Sequence, residues 1–115
     1  MTATNIQAPL FSTTWLKDTL AIQMPPRLTA LESSSFLQIF QVWIQNETSL
    51  TTIILDFGQM TLIDSRGVGA FLSNLKSARA QNIQVILRDV TPEVMIVFSL
   101  MGLEKLLTFE SSEPG

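Results

Sequence analysis

The sequence predicts an α/β protein: a mixed sheet of about four to five strands, parallel in its core, packed with about three to four helices. Three observations predict it. Short β-branched runs such as TTIILDF (51–57) and QVILRDV (84–90) alternate with stretches whose apolar residues recur at helical spacing. Each helical stretch opens on a capping signal. The chain has 115 residues, 46% of them hydrophobic, and no internal repeat or linker, which suits one domain with one core. Residues 1–115 are therefore expected to be a single domain, ordered over 9–109 and loose at both ends.

FSTTWL (11–16) and TLAIQM (19–24) predict two short strands joined at Lys17-Asp18, an opening hairpin that runs antiparallel. Pro25-Pro26 then stops the pairing, because neither residue donates a backbone hydrogen bond. Thr29-Ala30-Leu31-Glu32 fits a capping box, a hydroxyl with a carboxylate three residues on. Phe36, Ile39, Phe40 and Trp43 follow on one face, so a helix should run over 30–45. TTIILDF is continuous rather than alternating, the pattern of a strand buried on both faces. A second helix follows Asp64-Ser65, with Val68, Leu72 and Leu75 on one face and Phe71 and Ala78 beside it.

QVILRDV is the next strand. Thr91-Pro92-Glu93 opens a third helix, with Thr91 as cap and Pro92 at the first helical position, where its missing N–H costs nothing. Val94, Val97, Phe98 and Met101 are expected to face inward, and Gly102 to cap the helix with Leu103 folding back. LLTF (106–109) is the last expected strand, and ESSEPG (110–115) a frayed tail.

Composition removes several function classes. Net charge is −3 with no basic stripe, which argues against direct nucleic-acid binding. There is no cysteine, so disulfides and thiol chemistry are excluded. There is no histidine, so the commonest metal ligand and general base are missing, and no metal or cofactor is implied. No apolar run approaches the roughly 18 residues of a membrane span, so no membrane insertion is expected. MTATNIQAPL has no signal-peptide pattern, and the expected setting is cytoplasmic.

Chemistry concentrates in TLIDSRGVGAFL (61–72). Ser65 has three readings there. A nucleophile needs a base: without histidine only a lysine remains, and Lys76 lies about three helical turns away. The Gly-x-Ser-x-Gly elbow is absent. As a cap, Asp64 or Ser65 simply starts the helix. As an acceptor, Ser65 sits where a parallel sheet hands over to a helix, the edge that ligands and partners approach. The helix N-terminus would stabilise an added phosphate. Gly67-Val68-Gly69 is not a nucleotide fingerprint, because Leu72 stands where the third glycine belongs. Its two glycines in a first turn cost about 1 kcal/mol each relative to alanine, which packing or function must offset.

Residues 19–109, most densely 51–109, resemble the STAS domain, the fold of bacterial anti-sigma factor antagonists. The parts that carry the resemblance stand in order: Leu55-Asp56 ending a strand, Asp64-Ser65-Arg66-Gly67 opening a helix, the Asp89 to Pro92 segment, and Gly102-Leu103 ending a helix. The resemblance implies a STAS-like sheet and a protein-binding switch rather than an enzyme. The unphosphorylated form would bind an anti-sigma serine kinase and free a sigma factor. The kinase would phosphorylate Ser65, and a metal-dependent serine phosphatase would reverse this.

The implied contact surface comprises Pro26, Arg27, Leu28 and Thr29, with Asp64, Ser65, Arg66, Gly67, Val68, Gly69, Phe71 and Leu72. Many relatives have a glycine and then an acid near the start of the first helix; this chain has Pro25-Pro26-Arg27-Leu28-Thr29-Ala30. Asp56 is a supporting residue, or else a strand-end carboxylate accepting loop N–H groups. Arg66 is a solvated side chain or a phosphate ligand. Exposed apolar residues such as Phe71 would support a weak homodimer. The runner-up is a non-switching STAS subunit or scaffold of a transporter or sensor complex, with Ser65 only a cap. A phosphoacceptor receiver using Asp56 is disfavoured, because TLAIQMPPRL offers no acidic pair after the first strand.

Overall fold

The hairpin forms where the sequence predicts it. In the computed structural model, which describes residues 10–112, β1 (Ser12–Leu16) and β2 (Thr19–Gln23) pair antiparallel. Lys17 takes the turn at φ 58°, in the left-handed region. The expected loose segment at 1–8 lies outside the described residues. β2 then pairs in parallel with β4 (Thr52–Asp56), β4 with β6 (Gln84–Arg88), and β6 with β7 (Phe109–Glu110), giving the order β1-β2-β4-β6-β7. The sheet is thus mixed, five-stranded and mostly parallel.

Three helices complete it. α1 (Ala30–Asn46) opens on the predicted capping box: Thr29 Oγ1 accepts the Leu31 N–H, while the Glu32 carboxylate accepts the Thr29 N–H. Its buried stripe is Phe36, Phe40 and Ile44. Ile39 and Trp43, expected inward, are only half-buried, because the stripe runs one position further round the helix. α2 (Ser65–Ala80) packs on α1, and Asn74, buried at the contact, donates to the Phe36 carbonyl at 3.1 Å.

α3 (Pro92–Leu100) is capped by Thr91 as expected. It ends at Gly102, φ 70°, with the Leu103 N–H returning to the Phe98 carbonyl at 2.9 Å. Met101, expected inward, is 48% exposed, since that terminating turn swings it off the Val94–Phe98 face.

The core lies between the helices and one face of the sheet. Leu20, Ile22, Ile53, Leu55, Val85 and Leu87 point into it. Ala21, Ile54 and Ile86, cross-strand neighbours, lie on the other face and remain partly exposed. β4 is therefore not buried on both faces as its apolar run predicts: all the helical packing falls on one side. Phe57, Phe71 and Phe98 form a ring cluster with centroids 5.6–6.0 Å apart. Each fully buried ring contributes about 1.5–3 kcal/mol relative to exposure.

The chain end also departs from expectation. A 3₁₀ turn (Glu104–Leu106) uses the start of the expected last strand, and pairing begins only at Phe109. The tail is engaged as far as Ser112. Glu110 pairs with Arg88 at 2.7 Å, and Ser112 donates from its backbone and its hydroxyl to Asp89. Those donors hold the Asp89 carboxyl below its ordinary value.

Candidate functional site

Two segments distant in sequence meet at the carboxyl edge of the sheet. β3 (Arg27–Leu28) and β5 (Leu62–Ile63) pair in parallel, with Arg27 opposite Leu62 and Leu28 opposite Ile63. Backbone bonds extend the pairing on both sides: Thr61 N–H to the Pro26 carbonyl at 2.9 Å, and Asp64 N–H to the Leu28 carbonyl at 3.3 Å. This small sheet delivers the start of α1 beside the start of α2. Pro25-Pro26 does interrupt the large sheet, but the chain resumes pairing at once elsewhere.

Asp64 joins the two helix starts. Its Oδ1 accepts the Gly67 N–H at 2.8 Å, and its Oδ2 accepts the Ala30 N–H at 3.2 Å. One carboxylate therefore caps α2 and also satisfies the first N–H of α1. The choice of cap is settled: it is Asp64, with Ser65 as the first helical residue. Ser65 is exposed, and among the described residues its hydroxyl has no hydrogen-bond partner. With the Gly67 N–H taken by Asp64 and the Val68 N–H by the Asp64 carbonyl, the N–H groups of Ser65 and Arg66 have no intrahelical acceptor.

The two glycines differ. A Cβ on Gly67 would lie 1.8 Å from the Leu28 carbonyl oxygen, so only glycine lets α2 approach β3 this closely. At Gly69 a Cβ would meet nothing within 4 Å beyond the helix's own backbone. The packing that offsets the first glycine's cost is absent for the second.

The α1 side is knitted to itself. Glu32 is buried, with Oε1 accepting from Thr29 N at 2.8 Å and from Thr29 Oγ1 at 2.7 Å. Its Oε2 accepts from Arg27 Nε at 2.9 Å. Burial pushes its carboxyl upward, but the Thr29 hydrogen bonds and the Arg27 guanidinium outweigh that and hold it below its ordinary value.

The structure sorts the expected contact residues. Pro26, Arg27, Ser65, Arg66 and Gly69 are exposed; Thr29, Asp64 and Leu72 are half-buried. Leu28, Gly67, Val68 and Phe71 are corrected: all four are buried, the first two where β3 meets α2 and the others in the core. Phe71 stacks on Phe98 and cannot present a self-association surface. Asp56 is not brought to this cluster by any bond among the described residues; its Oδ1 accepts the Gly58 N–H at 2.8 Å, the strand-end role.

Sequence reasoning missed Leu31 and Leu62, 76% and 53% exposed beside the two helix starts. Leu31 lies off the Phe36–Phe40 stripe, which was a readable signal. Lys17 sits in the hairpin turn at the opposite end of the strands, and Lys105 in the turn after α3, so neither is placed beside Ser65.

A family model for the STAS domain matches residues 12–114. The chain belongs to the STAS family. Its fold is shared by solved STAS structures at low identity. The Bacillus cell-fate determinant SpoIIAA in its phosphorylated form superposes with a TM-score of 0.69 at 23% identity, over 89% of this chain and 92% of that one. An anti-sigma-factor antagonist (STAS) domain protein from Planctomyces limnophilus gives 0.77 at 15%, over 90% and 91%. A sulfate transporter family protein from Wolinella succinogenes gives 0.72 at 14%, over 83% and 79%. The STAS fold thus serves both kinds of protein. No helix among the described residues of this STAS chain is long and apolar enough to cross a membrane.

Proposed function

We propose that this STAS domain, a single unit over 1–115, is an anti-sigma factor antagonist-like phosphoswitch in a bacterial cytoplasm. In its unphosphorylated form it binds an anti-sigma serine kinase, which releases a sigma factor. The kinase then transfers a phosphoryl group from ATP to Ser65. The Ser65 oxygen bonds to the γ-phosphorus, the bond to ADP breaks, and the hydroxyl proton is lost. A serine phosphatase hydrolyses the ester and restores binding.

One observation carries this reading: Ser65 is exposed at the start of α2 with its hydroxyl unspent, because Asp64 does the capping. A serine at the cap position would instead spend its oxygen on the N–H groups of the first turn. The surface offered to the kinase is Pro26, Arg27, Thr29, Ser65, Arg66, Gly69 and Leu72, with Leu31 and Leu62 adding apolar area. A phosphate on Ser65 brings about −1.5 to −2 charges. The helix N-terminus favours negative charge by about 0.3–1 kcal/mol, and Arg66 adds a cation, while Asp64 opposes. The fold tolerates the group; a partner lying over Ser65 must desolvate it.

Calorimetric titration of the kinase against wild type, Ser65→Glu and phosphorylated protein tests this. Both charged forms should bind at least tenfold more weakly, about 1.4 kcal/mol. Equal affinity for all three would favour the scaffold reading, a non-switching subunit of a transporter or sensor complex.

A further inference from the structure

We propose that Gly69 is required by the partner and not by the fold: its bare backbone admits the main chain of the serine kinase that docks over Ser65. This inference rests on the phosphoswitch reading and adds to it the residue that controls how closely the kinase approaches.

The contrast with Gly67 is the ground. Gly67 is buried, and the Leu28 carbonyl excludes any side chain there. Gly69 is exposed, lies within α2, and has open space where its Cβ would be. Its backbone does not need glycine, since its φ lies outside the left-handed region. Alanine would fit, and would make the helix more stable. A residue that costs the fold stability and returns no packing is held by something outside the fold.

Position says what that is. Gly69 follows Ser65 by four residues, so the two are neighbours on one side of α2. A side chain at 69 would stand beside the acceptor hydroxyl. With no side chain, a kinase segment can come within van der Waals reach of the helix backbone while its nucleotide reaches Ser65. The exposed apolar residues at the two helix starts, Leu31 and Leu62, offer that segment area to bury beyond the serine.

The experiment compares wild type, Gly69→Ala, Gly69→Leu and Ser65→Ala. Each is incubated with labelled ATP and the anti-sigma serine kinase encoded nearest the gene, and each is melted. The Gly69→Ala variant should melt about 3–6 °C higher than wild type. Its kcat/KM for phosphorylation should nevertheless fall about tenfold, with the loss in KM for the protein and kcat at saturation kept. Gly69→Leu should also melt above wild type and be phosphorylated still more slowly. A purely structural role would move melting and phosphorylation together. Phosphorylation of Gly69→Leu within twofold of wild type overturns the inference, and so does a fall in melting temperature for Gly69→Ala. Ser65→Ala separates the two claims. Labelling of that variant at the wild-type level removes the phosphoswitch reading itself, whatever the Gly69 variants do, and an unlabelled wild type removes both.

Discussion

The starts of α2 and α3 stand at the same edge of the sheet and solve the same problem differently. At α3 the cap is Thr91, whose hydroxyl donates to the Met60 carbonyl at 2.6 Å and accepts the Val94 N–H at 3.4 Å. The next residue is Pro92, which has no N–H and no reactive group. At α2 the cap is Asp64, whose carboxylate is spent on two helices, and the next residue is Ser65. One start is closed by its own chain. The other is capped at the same position, but its first helical residue carries a hydroxyl that is left in solvent. The difference teaches that at α2 the cap and the exposed hydroxyl belong to adjacent residues, so that Ser65 can be substituted without loss of the cap.

Five substitutions, one of them read against pH, break or sharpen this comparison. The largest effect is expected for Gly67→Ala, whose Cβ would collide with the Leu28 carbonyl. Overpacking against backbone should cost about 3 kcal/mol in denaturant unfolding, and a loss under 1 kcal/mol would mean that α2 can retreat from β3. Asp64→Ala comes next. It strips an acceptor from both Gly67 and Ala30, and about 2 kcal/mol should be lost. Thr91→Val keeps shape and removes one cap, for about 1 kcal/mol.

Acid should loosen the α1 side below these. The Glu32 carboxyl has a depressed pKa in the folded chain. Its contribution is therefore fully present above the unfolded value of about 4.3 and is lost as pH falls through the folded one. Glu32→Gln should flatten the stability-against-pH curve in that window. The smallest effect belongs to Ser65→Ala, within about 0.5 kcal/mol of wild type. Should Ser65→Ala cost as much as Thr91→Val, the two helix starts would be alike and Ser65 would be structural.

Much of the frame was legible because its signals are local. Thr29 with Glu32, Thr91 with Pro92 and Gly102 with Leu103 each act within a turn or two, and all formed as predicted. The β3–β5 pair was not legible. Two-residue strands carry no period, and Pro25-Pro26 reads as a stop; only the meeting of residues 35 positions apart makes them strands. The site's outline was partly legible for the same reason. The motif placed Asp64 and Ser65 at the start of α2, where the structure has them, but faces were misjudged. Phe71 and Leu72 are adjacent, and packing alone decides which turns inward. Glu110 and Ser112 read as tail because their partners, Arg88 and Asp89, lie more than 20 residues away.

The doubly used carboxylate of Asp64 has a consequence for how the molecule opens. Ala30 and Gly67 donate to two oxygens of one side chain, so neither amide can be released without disturbing the group that holds the other. The first turns of α1 and α2 therefore form one cooperative unit although those donors lie 37 positions apart in the chain. In native-state hydrogen exchange the two amides should share one opening free energy.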